Sequence, residues 1–539
     1  MKVNSIPFQK LPFTTLFKTY TSDFEKLAPF FETNPFDTES IKKRLDEYTF
    51  KGNRKKSVEF LREFNAEFTD LSNVSAALEK LSSEDAVAVV TGQQLTLYGG
   101  PLFTVFKILT AIHTATTIEE IYGRPAVPVF WLADEDHDYD EVATIGVFER
   151  DEIKNVTLES AFNELPRVAE IKFDSSLKSI RDELKSAMYD TDFSEDLWNV
   201  LDASYQKNAT FRSSFGKLIL ALFADHGLIL AGSNAKTAKD LTKDVLKESV
   251  NRADQLFDAL NRKSASLLEE GFHNQVQVQR SNLFGIDDSG ARKKINNESN
   301  SWIADGTGES WNSAELIELI DTSPERFSPN VFLRPVLQNF LLPGVVYVAG
   351  PGEVAYYAQM KEFYRQFGLM TPIIMPRFSG TIIESGVDRV LPKLPFSIEE
   401  YSKRIEDLES EYIERSDAPD PEPIFSEWKK QFDEISGSKI EQIADIDPTL
   451  KGTSEKVKAQ FFTELDKLKG KVYRSLKEQD NTQLQRIRKI KSQLFPAGNL
   501  QEREIAFIYF MNKYGLEIWD SLLEEMKSEH HQHHNIIHL

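Results

Sequence analysis

The sequence predicts an α/β protein: a doubly wound parallel sheet with inserted segments and an α-helical antiparallel coiled coil. Three observations predict it. Short continuous apolar runs at residues 86–90 (AVAVV), 127–132 (VPVFWL), 228–231 (LILA), 345–349 (VVYVA) and 372–375 (PIIM) have the texture of strands buried on both faces. Glycine-bearing turns and helical stretches separate them, so strand, helix and strand repeat. From Ser397 onward, long charged stretches carry an apolar stripe at helical spacing instead.

Residues 1 to about 80 read as helices and loops, with Phe60, Leu61, Phe64, Phe68 and Leu71 on one helical face. After the first strand, residues 91–101 (TGQQLTLYGGP) form a turn, and Pro101 opens a helix. Ser233 and Asn234 are placed to cap the helix after residues 228–231. Gly350, Pro351 and Gly352 form a turn before a helix over 353–367. This alternation makes the sheet Rossmann-like. Residues of about 150–210 and 265–325 are less regular and read as insertions beside the core. The predicted divisions are a core over 1–390, a coiled-coil arm over 391–497, and a segment over 498–539 that rejoins the core. In the arm, Val457, Phe461, Leu465, Leu468, Val472 and Leu476, then Leu484, Ile487, Ile490 and Leu494, mark a seam. Residues 418–423 (APDPEP) break its first part, and Pro448 and Gly452 mark its turn. A hairpin of this length suits a homodimer.

Bulk properties exclude several functions. The chain has 539 residues and a formal net charge of −21. A polyanion binder needs a basic stripe, and the basic run at 486–491 (RIRKIK) reads as a solvated helix face. No nucleic-acid partner is expected. There is no cysteine, hence no disulfide, thiolate metal site or cysteine nucleophile. The N-terminus lacks the apolar run of a signal peptide, and no stretch reaches the roughly 18 apolar residues of a membrane span. The expectation is a cytoplasmic protein with no membrane partner.

Three junctions could carry chemistry, because ligands of such sheets bind beyond the carboxyl ends of the strands. At the first, Gly99, Gly100 and Pro101 precede a helix whose N-terminus could hold an anion, and Gln93 and Gln94 offer hydrogen bonds. There is no GxGxxG and no GxxxxGK[ST]. At the second, residues 131–141 (WLADEDHDYDE) surround His137 with carboxylates including Asp136 and Asp138. His137 could act as general acid or base, or the acidic residues could hold Mg²⁺; a solvated acidic loop is the alternative. At the third, Glu353 and Tyr356 start a helix, with Arg334 and Asn339 before the strand and Arg377 after the last one. The tail 530–539 holds five histidines and reads as polar or tag-like, while Ile536, Ile537 and Leu539 suggest docking onto the core.

Residues 6–13 (IPFQKLPF), 89–108 (VVTGQQLTLYGGPLFTVFKI), 128–142 (PVFWLADEDHDYDEV), 334–361 (RPVLQNFLLPGVVYVAGPGEVAYYAQMK), 447–450 (DPTL) and 494–504 (LFPAGNLQERE) resemble signature stretches of the bacillithiol biosynthesis cysteine-adding enzymes. The resemblance spans nearly the whole chain. It implies a ligase that adds L-cysteine to glucosaminyl-malate. It also implies a class I synthetase- or nucleotidylyltransferase-like core with connecting-peptide insertions, and a dimerising coiled coil. A site for an adenine nucleotide (ATP or ADP), separate from the catalytic pocket, is a further implication. The synthetase HIGH and KMSKS motifs are absent here.

Carried over residue by residue, the resemblance places Gln93, Gln94, Gly99, Gly100, Pro101, Asp136, His137, Asp138, Glu353, Tyr356 and Arg377 in the pocket. It places Pro496, Gly498, Gln501, Glu502 and Arg503 at the nucleotide. The expected mechanism has the helix start at Gly100 and Pro101, with Arg377, holding a carboxylate. His137 deprotonates the amine, oriented by Asp136 or Asp138. The alternatives are an ATP-dependent nucleotidylyltransferase acting on another small acid, a metal hydrolase, and a non-enzymatic nucleotide-binding scaffold.

Overall fold

The computed structural model describes residues 1–160, 166–298, 301–415, 420–479 and 481–539. They form two compact units, Met1–Ile382 with Leu500–Leu539, and Ile383–Asn499.

The first unit is built on five parallel strands: β1 (Val87–Gln93), β2 (Ala126–Leu132), β3 (Ile229–Ala231), β4 (Gly344–Ala349) and β5 (Ile373–Pro376), in the order β5-β4-β1-β2-β3. The chain runs outward from β1 through β2 to β3, then returns to β1's other side for β4 and β5. The strand order therefore reverses between β1 and β4, which makes their carboxyl ends the topological switch point. Every residue of β2 and β4 is buried, which is why both appear as uninterrupted apolar runs. A Cβ on Gly92 would lie 2.7 Å from the Trp131 carbonyl oxygen, so only glycine lets β1 run this close to β2.

Helix α1 (Leu102–Tyr122) connects β1 to β2 and is apolar on nearly all faces, as a helix enclosed in a core must be. It stops at Gly123, in the left-handed conformation of a helix C-cap. The helical stretch after β4 is two short helices, α2 (Pro351–Tyr357) and Lys361–Gln366. Ser233 and Asn234 do not cap the helix after β3, which begins at Lys236 behind Ala235. Their backbone N–H groups go to Asp134 Oδ1 instead, at 3.1 and 3.2 Å.

The N-terminal stretch holds a strand where helices and loops were expected. Lys2–Pro7 pairs antiparallel with His533–His538, from Lys2↔His538 to Pro7↔His533, and Ser379–Ile383 completes a three-stranded sheet. The pairing spans almost the whole chain, so no local pattern announces it. It also revises the reading of the tail: His530, His531 and His534 are buried along with Ile536 and Ile537. The earlier insertion contains the helices Ser176–Met188 and Ser194–Ser204; its residues 161–165 lie outside the described residues. The later insertion is an antiparallel sheet of Leu283–Ile286, Arg292–Glu298, Ser301–Ala304 and Ser310–Asn312, closed by Phe327–Pro329.

The second unit is helical. Pro421–Ile446 and Lys451–Gln479 form an antiparallel hairpin around a turn at Pro448–Leu450, where Asp447 accepts a hydrogen bond from the Thr449 N–H at 2.9 Å. Gly452 sits just inside the second helix. Stacked Phe432 and Phe461 rings 3.7 Å apart set the register, with Lys429–Asp466 and Lys458–Asp433 ion pairs on either side. Leu465, Leu484, Ile487, Ile490 and Leu494 of the seam are buried, whereas Val457 and Leu468 are 62% and 42% exposed. Of the predicted break at 418–423, Ala418 and Pro419 lie outside the described residues, and Pro421 opens the helix behind the capping Asp420. No helix among the described residues is long and apolar enough to cross a membrane.

Candidate active site

A cavity of about 540 Å³ opens at the switch point. Every strand end of the central sheet contributes to its lining: Gln93 at the end of β1, Asp134 beyond β2, Ser233 beyond β3, Gly350 beyond β4 and Arg377 beyond β5. This is the place and size expected of a small-molecule site in a doubly wound sheet.

Much of the lining charge is compensated within the chain. Lys107, buried in α1, pairs with Glu353 at 2.6 Å and donates to the Gly92 carbonyl at 2.8 Å and to Gln93 Oε1 at 3.2 Å. Glu353 also accepts from the Tyr347 hydroxyl at 2.7 Å and the Gly350 N–H at 2.6 Å. Burial alone would raise the Glu353 carboxyl, but Lys107 and these donors hold it below its ordinary value. Burial, with Arg377 and Arg334 nearby, lowers the Lys107 ammonium more than Glu353 raises it. Glu135 is matched by Lys239 and Ser233.

Beneath the cavity lies a buried network. Arg377 meets Glu502 through both guanidinium ends, at 2.6 and 3.0 Å. Glu502 also accepts from Ser379 Oγ at 2.9 Å and the Gly380 N–H at 2.8 Å. His534, from the C-terminal strand, bridges Ser379 and Thr381 at 2.8 and 2.9 Å. Desolvation pushes the His534 imidazole down to about 4, so it is neutral near pH 7.

The acidic end of the cavity is formed by Asp136 and Glu141, both hydrogen-bonded by the Gln94 amide. Burial pushes the Asp136 carboxyl up, but the bonds from Gln94 and the His137 N–H outweigh it and keep it ionised. Asp134 behaves oppositely. Fully buried, it is pushed up to about 6 by desolvation, which Arg212 at 3.5 Å only partly offsets. One of its oxygens has no hydrogen-bond partner.

The model of the bacillithiol biosynthesis BshC N-terminal Rossmann-like domain matches residues 1–378, and that of the BshC C-terminal coiled-coil domain matches residues 380–539. The chain belongs to the bacillithiol biosynthesis BshC family. A relative from Salinibacter ruber is 31% identical over 526 residues, covering 97% of this chain and 96% of its own. One from Koribacter versatilis is 30% identical over 529 residues, covering 96% and 97%. One from Geobacillus kaustophilus is 29% identical over 486 residues, covering 89% and 90%. Each bears the name "Putative cysteine ligase BshC".

In this BshC chain, Gln93, Gln94, Asp136, Arg334, Glu353, Tyr356, Arg377 and Arg503 all line the one cavity. Other expected residues lie elsewhere. Gly99 and Gly100 have φ of +84° and +80°, and a Cβ on Gly99 would fall 2.4 Å from the Phe507 ring, so they serve the turn. At the helix start behind Pro101, two N–H groups are already occupied: Leu102 donates to the Ile505 carbonyl at 2.8 Å and Thr104 to the Pro101 carbonyl at 2.9 Å. Asn339 ties the Gly344 carbonyl at 2.7 Å and the Tyr364 hydroxyl at 3.1 Å. Asp138 caps the short helix Tyr139–Val142. His137 stands beside the cavity, half-exposed, with Nδ1 3.6 Å from Asp136.

The five residues expected at a nucleotide are divided between the two units. Pro496 and Gly498 belong to the second unit, Gln501 is bonded to the Ile382 backbone, Glu502 to Arg377, and Arg503 reaches the cavity lining. Sequence reading missed Lys107 and Arg292, both in the lining. A lone lysine within an otherwise apolar helix was the available signal for the first.

Proposed function

We propose that the chain is a ligase joining the carboxyl group of L-cysteine to the amine of glucosaminyl-malate, forming the amide of bacillithiol. The observation that carries this reading is the cavity at the switch point of a BshC-family fold, with an acidic end and a basic wall. Asp136, held ionised, suits a substrate ammonium. His137 takes the proton that the amine must lose before it attacks, and passes it to solvent. The new C–N bond forms at the cysteine carboxyl carbon as one carboxyl oxygen leaves as water, carrying two protons from solvent in place of the two the substrate ammonium has lost.

ATP and Mg²⁺ belong in the assay as the expected driving force. Among the described residues no three His, Cys, Asp or Glu side chains are grouped to hold a metal ion. No step is derived through them.

Mass spectrometry of the purified chain with L-cysteine, glucosaminyl-malate, ATP and Mg²⁺ tests the reading. A cysteinyl product is expected, falling by at least about 100-fold in His137→Ala. Full turnover by that variant removes His137 from the mechanism; no product from the wild type overturns the ligase reading.

We also propose that two chains pair through the helical unit, whose hairpin leaves Ile435, Ile446 and Val457 largely exposed. Light scattering is expected to give the mass of a dimer, and that of a monomer in Val457→Glu.

A further inference from the structure

Arg292 and Arg334 line the cavity and, among the described residues, neither has a carboxylate within ion-pair distance. This sets them apart from Lys107, Lys239 and Arg377, each of which is matched by a carboxylate. Arg292 comes from the inserted antiparallel sheet rather than from the Rossmann-like core. Its guanidinium lies 3.9 Å from the centroid of the Phe284 ring, its Nε donates to Ser328 Oγ at 2.9 Å, and its Nη2 donates to the Pro329 carbonyl. Arg334, on the helix Leu333–Leu341, donates from Nη2 to the Tyr356 hydroxyl at 3.1 Å. Both side chains are thus held in place, Arg334 also through Tyr347, while Arg292 Nη1 carries no hydrogen bond among the described residues.

Burial lowers the Arg292 guanidinium, the nearby carboxylates of Glu135 and Asp136 offset this in part, and Arg167 and Arg334 lower it further by like-charge repulsion. Two fixed, partly desolvated cations that repel one another form an unfavourable arrangement unless an anion joins them. A guanidinium fork matches a carboxylate or a phosphate bidentately. The carboxylates on the same lining, Glu135, Asp136, Glu141 and Glu353, disfavour a polyphosphate and favour a ligand with one cationic end.

We propose that Arg292 and Arg334 together anchor the two carboxylates of a dicarboxylate group, so that the inserted sheet supplies substrate specificity to the core. This rests on the reading of the cavity as the ligase site, where the malyl end of glucosaminyl-malate is the group that fits.

Calorimetric titration of the full chain with L-malate, inorganic pyrophosphate and L-cysteine, beside Arg292→Gln and Arg334→Gln, tests it. L-malate is expected to bind the wild type, and each variant to weaken it at least 10-fold while melting temperature and L-cysteine binding stay unchanged. Arg292→Lys, which keeps the charge without the fork, should recover only part of the affinity. Unchanged malate binding in both variants, or no malate binding by the wild type at millimolar concentration, overturns the proposal. So does preferential binding of pyrophosphate that the variants abolish. Binding is read without turnover, so a chain that binds malate through these arginines but forms no product fails the ligase reading alone. A chain that forms product with unaltered Michaelis constant for glucosaminyl-malate in both variants fails this one alone.

Discussion

Two arginine sites on the same cavity differ in what neutralises them. Arg377, at the floor, is 3% exposed and bound at both ends by Glu502, which Ser379 and Gly380 also satisfy. Arg292, on the wall, is held by a hydroxyl, a carbonyl and an aromatic face, with no counter-charge in contact. A charge compensated inside the chain serves the fold. A charge held in orientation with no carboxylate in contact suits what enters. Residue type alone does not separate these roles: Arg377 was a substrate-binding candidate in the sequence, and Glu502 a nucleotide-binding one.

The largest expected effect lies at the floor. Glu502→Gln leaves Arg377 buried without its counter-charge, and breaking such a pair costs about 3–5 kcal/mol. Denaturant unfolding of the first unit should show that loss. Next is Gly99→Ala, which puts a Cβ into the Phe507 ring at a positive φ. Overpacking and strain together should cost about 1–3 kcal/mol, again read by unfolding.

A smaller effect is set by pH. His531 and His534 are pushed down to about 3 and about 4 by burial, against an unfolded value near 6.5. The unfolded chain therefore binds more protons below pH 6.5, and their contribution to stability falls as pH drops from there towards 4. Asp134, pushed up to about 6, acts in the opposite sense below that pH, but the two histidines outnumber it. Melting temperature should decline from pH 7 to pH 5, and less steeply in His534→Asn. The smallest effect belongs to the helical hairpin: Lys458→Ala removes a part-exposed pair with Asp433 and should cost about 0.2–1 kcal/mol.

The central sheet was legible because strands buried on both faces leave local apolar runs, and the junction after each run pointed to the cavity. Gln94, Asp136, Glu353 and Arg334 could be placed from those junctions alone. Gly99 and Pro101 looked equally suited to a ligand, because the Phe507 ring and the Ile505 carbonyl that occupy their surroundings arrive from about 400 residues away. Arg292 carried no signal, since only the pairing of the inserted strands brings it to the cavity. The strand Lys2–Pro7 was hidden for the same reason: its partner is the C-terminal one.

The most direct test of the difference between wall and floor is to measure thermal unfolding and the Michaelis constant for glucosaminyl-malate in Arg292→Gln and Glu502→Gln side by side. The account predicts that Arg292→Gln melts with the wild type and raises the Michaelis constant at least 10-fold, while Glu502→Gln melts at a clearly lower temperature. An Arg292→Gln chain that unfolds early yet keeps its Michaelis constant, beside a Glu502→Gln chain of unchanged stability, would contradict it.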